Sequence, residues 1–232
     1  MFFLLIAGLQ IISSLSPTCL VFYTGGNNMI SPNIYSNFLN GFNNVDIYKL
    51  PNKYKKDEIT EIYKKLNKNY NNIVVAGHSS GCVKAIDNCN TAVNKLILLD
   101  PVKTPFWNNR NNLNYLENIL VINADKSYKW SKIPPFIPFI PLFRLKFQDI
   151  NIDKSKIKEI TIKNYGHCDI INNPYRNLMH YSRISLGHPR RKKQFILAYH
   201  KLLHKLIGDF IKQSDKQLES TYIKQDFPTH YQ

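Results

Sequence analysis

Gly77-His78-Ser79-Ser80-Gly81 constrains this chain more than any other stretch, because it joins the apolar run Ile73-Val74-Val75-Ala76 directly to a helical pattern from about Ser80 to Asn88. A β-branched run of that length is too short for a helix and too apolar for an exposed edge, so it reads as a central strand buried on both faces. A strand passing into a helix through G-x-S-x-G bends sharply at the serine. Side chains two residues to either side would collide with the neighbouring strand and helix, so glycine is required at 77 and 81. The chain is thereby committed to a strand, turn and helix with a hydroxyl at the apex, and to a sheet wide enough to bury that strand.

The remaining pattern supplies such a sheet. Leu20 to Tyr23 reads as a strand ending in Thr24-Gly25-Gly26, and beyond Pro32 the residues Ile34, Tyr35, Phe38 and Leu39 recur at helical spacing. Val45 to Leu50 reads as the next strand, followed by a helix bearing Ile59, Ile62, Tyr63, Leu66 and Tyr70 on one face. Lys95 to Leu99 and Ile119 to Asn123 are further buried strands, and Ile157 to Lys163 is the last. Phe195, Ile196, Tyr199, Leu202, Leu203, Leu206, Ile207 and Phe210 then mark the apolar face of a long helix. This alternation predicts an α/β fold with a mostly parallel central sheet and helices on both faces. A chain of 232 residues is of ordinary size for one such domain. We expect the domain over 19–212, with a polar tail over 213–232.

Two segments stand apart. Met1 to Ile12 is apolar and followed by serines, which suits a signal peptide or membrane-anchoring segment over 1–18, although no Lys or Arg precedes it. Ile133 to Phe143 carries proline too densely for a helix or a central strand, so an extended apolar loop is expected there, within a cap over 127–150 that covers the site or docks on lipid.

The formal net charge is +15. The lysines are spread along the chain and accompany abundant Asn and Ile, as nucleotide bias alone would produce. That bias is the first explanation of the charge, peripheral contact with an anionic membrane is the second, and nucleic acid is a distant third. The basic run Arg190 to Lys193 stands at the start of the last helix, where cations face the positive end of the dipole and extend into solvent. Cys19, Cys82, Cys89 and Cys168 form no CxxC pair and share no zinc-like spacing with histidine, so no metal and no cofactor is expected.

A serine hydroxyl attacks only when a base takes its proton, and the base should lie in the loop after a late strand. His167, in Asn164-Tyr165-Gly166-His167-Cys168-Asp169, has that position. His78 reads as a support for the turn, and His200 and His204 as surface or interface groups on the last helix; His180 and His188 lack the required placement. Two carboxylates end strands between the serine and the base, Asp100 after Leu96 to Leu99 and Asp125 after Val121 to Ala124, and either preserves the order serine, acid, histidine. The oxyanion would be met by the backbone N–H of Ser80 and by an N–H from the turn after the first strand, for which Gly26 is the choice.

With these residues placed, the chain resembles the α/β-hydrolase superfamily, and within it the chlorophyllase and platelet-activating-factor acetylhydrolase branch. Gly77-His78-Ser79, Asp100-Pro101-Val102, the proline-rich Ile133 to Phe143 and Tyr165-Gly166-His167-Cys168-Asp169 match elements of chlorophyllases, over about Leu20 to Ile211. The chain departs from them at Ser80, where they usually carry Arg, and at the double glycine, where they usually carry His-Gly. The resemblance implies an α/β-hydrolase fold and favours Asp100 as the acid. It also implies a serine esterase or lipase acting on a small apolar ester, lipid-like or chlorophyll-like. A catalytically inactive binding protein of the same fold and an acyltransferase using the same serine are the other classes these residues could serve. The oligomeric state is left open.

Overall fold

Alternation within each strand decides the architecture. In the computed structural model, which describes residues 17–26, 30–50, 55–104, 106–109, 111–127, 143–181 and 193–213, successive side chains of the central strands enter two different cores. Leu20, Phe22, Val74, Ala76, Ile97, Leu99, Leu120 and Ile122 join one. Cys19, Val21, Tyr23, Ile73, Val75, Leu96, Leu98, Ile119 and Val121 join the other. A strand buried on both faces needs a layer on each side, which is why its residues are almost all apolar.

The strands are β1 (Thr18–Tyr23), β2 (Asp46–Lys49), β3 (Asn72–His78), β4 (Lys95–Leu99), β5 (Val102–Lys103), β6 (Asn118–Ala124), β7 (Phe143–Arg144) and β8 (Ile157–Ile162). The helices are α1 (Ser36–Leu39), α2 (Lys56–Leu66), α3 (Gly81–Asn88), α4 (Tyr175–Tyr181) and α5 (Lys193–Lys212). Six strands form one sheet in the order β2-β1-β3-β4-β6-β8, and every neighbouring pair in it is parallel. Tyr199, Leu203, Ile207 and Phe210 of α5 cover one face together with α1. Ile59, Tyr63 and Leu66 of α2 and Cys82, Ala85 and Ile86 of α3 cover the other. These elements match the alternating reading of the sequence, with boundaries shifted by a few residues. The first strand begins at Thr18, which pairs with Asn72. Residues 1–16, which hold most of the expected leader or anchor, lie outside the described residues, as does 214–232.

The chain steps from β1 outward to β2, returns to β3 on the other side of β1, and thereafter moves one way only. The reversal falls between β1 and β3, and open parallel sheets bind ligands outside the carboxyl ends of strands at such a point. The glycine turn and the G-x-S-x-G turn directly follow those two strand ends.

Two local features depart from the sequence reading. Of the expected cap, residues 128–142 lie outside the described residues. Its C-terminal end is not a free loop: Phe143 and Arg144 pair antiparallel with Lys103 and Val102, and Leu145 and Ile150 are buried in the core of the α2 and α3 face. Pairing becomes available because Val102 leaves the main sheet directly after β4. The second feature is Lys95, only 4 % exposed at the start of β4. Its ammonium donates to the carbonyls of Phe210 and Ile211, each at 3.3 Å, and stands 3.6 Å from Glu117. A buried cation is tolerated there because it meets the unpaired carbonyls and negative dipole end of α5.

His200 and His204 are a correction to the surface placement expected for them. His200 is 4 % exposed with Nε2 3.3 Å from the Asp169 carbonyl, and His204 is half-buried with Nε2 2.6 Å from the Phe38 carbonyl. Both flank the Leu203 and Ile207 stripe of α5, and a backbone acceptor satisfies each ring, a partner that hydrophobic periodicity does not reveal.

Burial lowers the pKa of His200 from 6.5 to about 4 and that of His78 from 6.5 to about 3. Between those values and 6.5 the unfolded chain binds more protons than the native one. Their contribution to stability is therefore complete above about pH 6.5 and is lost as pH falls towards 3 to 4. Each histidine adds a slope of up to about 1.4 kcal/mol per pH unit in that window. Urea midpoints should fall clearly from pH 7 to pH 5, and less steeply for His200→Gln; a midpoint flat across this range would contradict the burial of neutral rings.

Candidate active site

Ser79 holds φ +59°, a left-handed conformation that costs a non-glycine residue about 1–2 kcal/mol. Hydrogen bonds on both sides enforce it: its N–H donates to the Leu99 carbonyl (3.0 Å), and its carbonyl accepts from the Cys82 N–H (3.1 Å). The flanking glycines are sterically fixed. A methyl group on Gly77 would stand 2.7 Å from Cys82 Cα, and one on Gly81 would stand 2.5 Å from the Thr24 carbonyl and 2.6 Å from that of Tyr23. All of these are backbone atoms, which cannot swing aside. Gly81→Ala should therefore cost about 1–3 kcal/mol and lower Tm by about 2–4 °C for each of them, while distorting the turn beneath Ser79. Calorimetry checks this; a wild-type Tm would refute the steric reading.

The structure brings His167 to the serine. His167 Nε2 lies 2.8 Å from Ser79 Oγ, and its Nδ1 lies 2.5 Å from Asp100 Oδ2. A carboxylate only accepts, so Nδ1 carries the proton and the bare Nε2 faces the serine hydroxyl. The three residues arrive from the ends of β3, β4 and β8. Their exposures are 7 % for Ser79, 5 % for Asp100 and 5 % for His167, so little water screens the line. Asp100 bends at φ +45° and turns its carboxylate across the strand ends, where Oδ1 accepts the Ala124 N–H at 3.1 Å and leaves Oδ2 for the imidazole. Burial opposes ionisation of Asp100. The hydrogen bond and charge of His167 and the Ala124 N–H outweigh it, holding the carboxyl below its ordinary range. Asp125, the other acid considered, does not pair with His167, and its buried Oδ1 makes no hydrogen bond among the described residues.

The glycine turn after β1 lies against the serine: a Cβ on Gly25 would come within 2.9 Å of Ser79 Cβ and 3.2 Å of the His78 carbonyl. Gly26 has φ +74°, and a Cβ there would strike the Ile30 side chain at 2.4 Å. Ser80 is the N-cap of α3, directly beneath Ser79. His78 is buried, with Nδ1 2.8 Å from Tyr35 Oη and Nε2 3.0 Å from the His167 carbonyl.

Two contributors were not legible in the sequence. Tyr35 reads there as part of an apolar helical stripe, and nothing marks its hydroxyl. Arg176 on α4 is 2 % exposed and forms an ion pair at 3.7 Å with Asp169, which is fully buried and accepts the Gly166 N–H at 2.8 Å. The pair anchors the loop carrying His167. No hydrophobic periodicity announces an arginine whose burial is matched by a carboxylate in the preceding loop. His180 belongs to α4, and His188 lies outside the described residues. Among the described residues no group of three or more His, Cys, Asp or Glu side chains could hold a metal ion, and no helix is long and apolar enough to cross a membrane.

A parallel sheet with a strained serine turn after its third strand, and with acid and histidine on later strand ends, defines the α/β-hydrolase fold. No family model and no curated protein matches the chain. Solved structures similar to it include the RedJ thioesterase of the prodiginine biosynthetic pathway in Streptomyces coelicolor, at 8 % identity and TM-score 0.44, covering 73 % of this chain and 90 % of that one. A structure from the work on LipS and LipT, two metagenome-derived lipolytic enzymes, matches at 10 % identity and TM-score 0.38, over 73 % and 93 % of the two chains. A yden-like hydrolase of Pectobacterium atrosepticum matches at 11 % identity and TM-score 0.42, over 82 % and 92 %.

Proposed function

We propose that this protein is a serine hydrolase that cleaves a carboxylic ester of an apolar substrate through an acyl-enzyme on Ser79. The observation that carries the reading is the unbroken line from Ser79 Oγ through the His167 ring to Asp100, at 2.8 and 2.5 Å. A surface serine would have no reason to be strained, buried and paired with an oriented imidazole at once.

In this reading Ser79 Oγ attacks the ester carbonyl carbon as its proton passes to His167 Nε2. Asp100 holds the ring in the required tautomer and stabilises the imidazolium without taking the proton. The carbonyl oxygen, now negative, is met by the N–H groups of Ser80 and Gly26, each worth about 3 kcal/mol in the transition state. Collapse expels the alcohol, which takes the proton from Nε2. Water, activated by the same ring, then releases the acid and restores Ser79.

The apolar, proline-rich Ile133 to Phe143 favours a lipid, prenyl or tetrapyrrole ester, the last in keeping with the chlorophyllase-like Asp100-Pro101-Val102. A charge of +15 suits peripheral contact with an anionic membrane that would present such substrates. The direct test is incubation with a fluorophosphonate probe and peptide mapping, alongside p-nitrophenyl esters of increasing acyl length. A stoichiometric adduct on Ser79 and a preference for longer acyl chains are expected. A folded sample that forms no adduct would overturn the enzyme reading in favour of a binding protein, and acyl transfer to alcohol in preference to water would indicate an acyltransferase.

A further inference from the structure

Three loops must stay in register for the proposed chemistry: the glycine turn after β1, the serine turn after β3 and the histidine loop after β8. One chain of hydrogen bonds ties them together. The Gly25 N–H donates to Tyr35 Oη at 3.2 Å, Tyr35 Oη lies 2.8 Å from His78 Nδ1, and His78 Nε2 lies 3.0 Å from the His167 carbonyl.

The protons in this chain can be assigned. The His167 carbonyl can only accept, so His78 carries its proton on Nε2. Burial keeps the ring neutral, with its pKa pushed down to about 3. Nδ1 is therefore an acceptor and the Tyr35 hydroxyl donates to it, which leaves the phenol oxygen to accept from Gly25. Each donor meets one acceptor and the direction cannot reverse, because both ends are backbone groups of fixed polarity. Tyr35 is fully buried and packed edge-on to Phe22, with ring centroids 5.1 Å apart, so its hydroxyl has a fixed position.

We propose that Tyr35 and His78 are positioning residues that hold the glycine turn and the histidine loop at their working distance from Ser79, and so tune the rate of the chemical step without contacting substrate. The inference rests on the serine hydrolase reading above. Neither side chain attacks the ester or takes its proton. Tyr35 orients the peptide preceding the proposed oxyanion donor at Gly26, and His78 orients the backbone of His167, so their loss should act on the transition state more than on substrate binding.

The test compares wild type, Tyr35→Phe, His78→Leu and His78→Gln in p-nitrophenyl butyrate hydrolysis and in the rate of fluorophosphonate labelling. Tyr35→Phe keeps the ring and its packing but leaves His78 Nδ1 and the Gly25 N–H without their partner. Its kcat should fall on the order of 10- to 100-fold with KM within about twofold, and labelling should slow in step. His78→Leu should behave alike. His78→Gln, whose amide can donate to the His167 carbonyl, should recover part of the loss.

Wild-type kcat in folded Tyr35→Phe would overturn the inference. So would a loss explained wholly by a smaller folded fraction, or one carried in KM. Should Tyr35→Phe fail to fold, His78→Gln and His78→Leu decide: equal activity in the two would overturn it, and better turnover in the glutamine variant would support it. Failure of the underlying reading has a different signature, since wild type itself would then form no adduct on Ser79.

Discussion

Replacing Ser79 with alanine should lower turnover about 10⁶-fold, leaving only the rate that the oxyanion donors and substrate binding sustain on their own. The loss is this large because serine, histidine and aspartate act as a unit, so removing the attacking atom leaves His167 nothing to deprotonate. The variant should nonetheless fold. The strain at position 79 is a property of the backbone at φ +59° and of the hydrogen bonds to Leu99 and Cys82, and alanine imposes no greater penalty there than serine. Turnover against p-nitrophenyl esters, with circular dichroism as the control, checks both halves. A folded Ser79→Ala protein within tenfold of wild-type activity would show that the attacking group lies elsewhere.

Asp100→Asn should cost about 10⁴ in kcat, and Asp125→Asn should stay within a few-fold of wild type. The asymmetry follows from geometry. Asp100 Oδ2 is the acceptor for His167 Nδ1–H, whereas the buried Asp125 Oδ1 accepts no hydrogen bond among the described residues. An asparagine amide at position 100, with its oxygen retained by the Ala124 N–H, would present N–H groups to Nδ1. That shifts the ring proton to Nε2, which can then no longer accept from Ser79. The stabilising charge for the imidazolium is lost in the same exchange. Assaying the two variants separately checks the assignment, and a larger loss at Asp125 would reverse it.

The two acids also show where sequence reasoning stops. Both follow β-branched or aliphatic runs, both end parallel strands, and both precede His167, so order and pattern treat them alike. What separates them is a bend of φ +45° at Asp100 and a single N–H from Ala124 that together aim one carboxylate oxygen at the ring. The same limit applies to His200. It sits on a helix whose apolar stripe was legible, yet its burial depends on a carbonyl of Asp169, 31 positions away.

The short-range physics of the chain was written in its residues. Period-two alternation, helical stripes, and glycines at 77 and 81 that no side chain could replace were sufficient for the parallel sheet and the serine turn. These depend on neighbours a few positions apart, or on an alternation that any buried strand must obey. The tertiary structure alone put the Asp100 carboxylate on the His167 ring, closed the chain from Gly25 through Tyr35 and His78 to His167, and buried Arg176 against Asp169. The hydrogen bonds of that chain join loops distant in sequence, and each depends on ångström distances and angles that only the packed sheet sets.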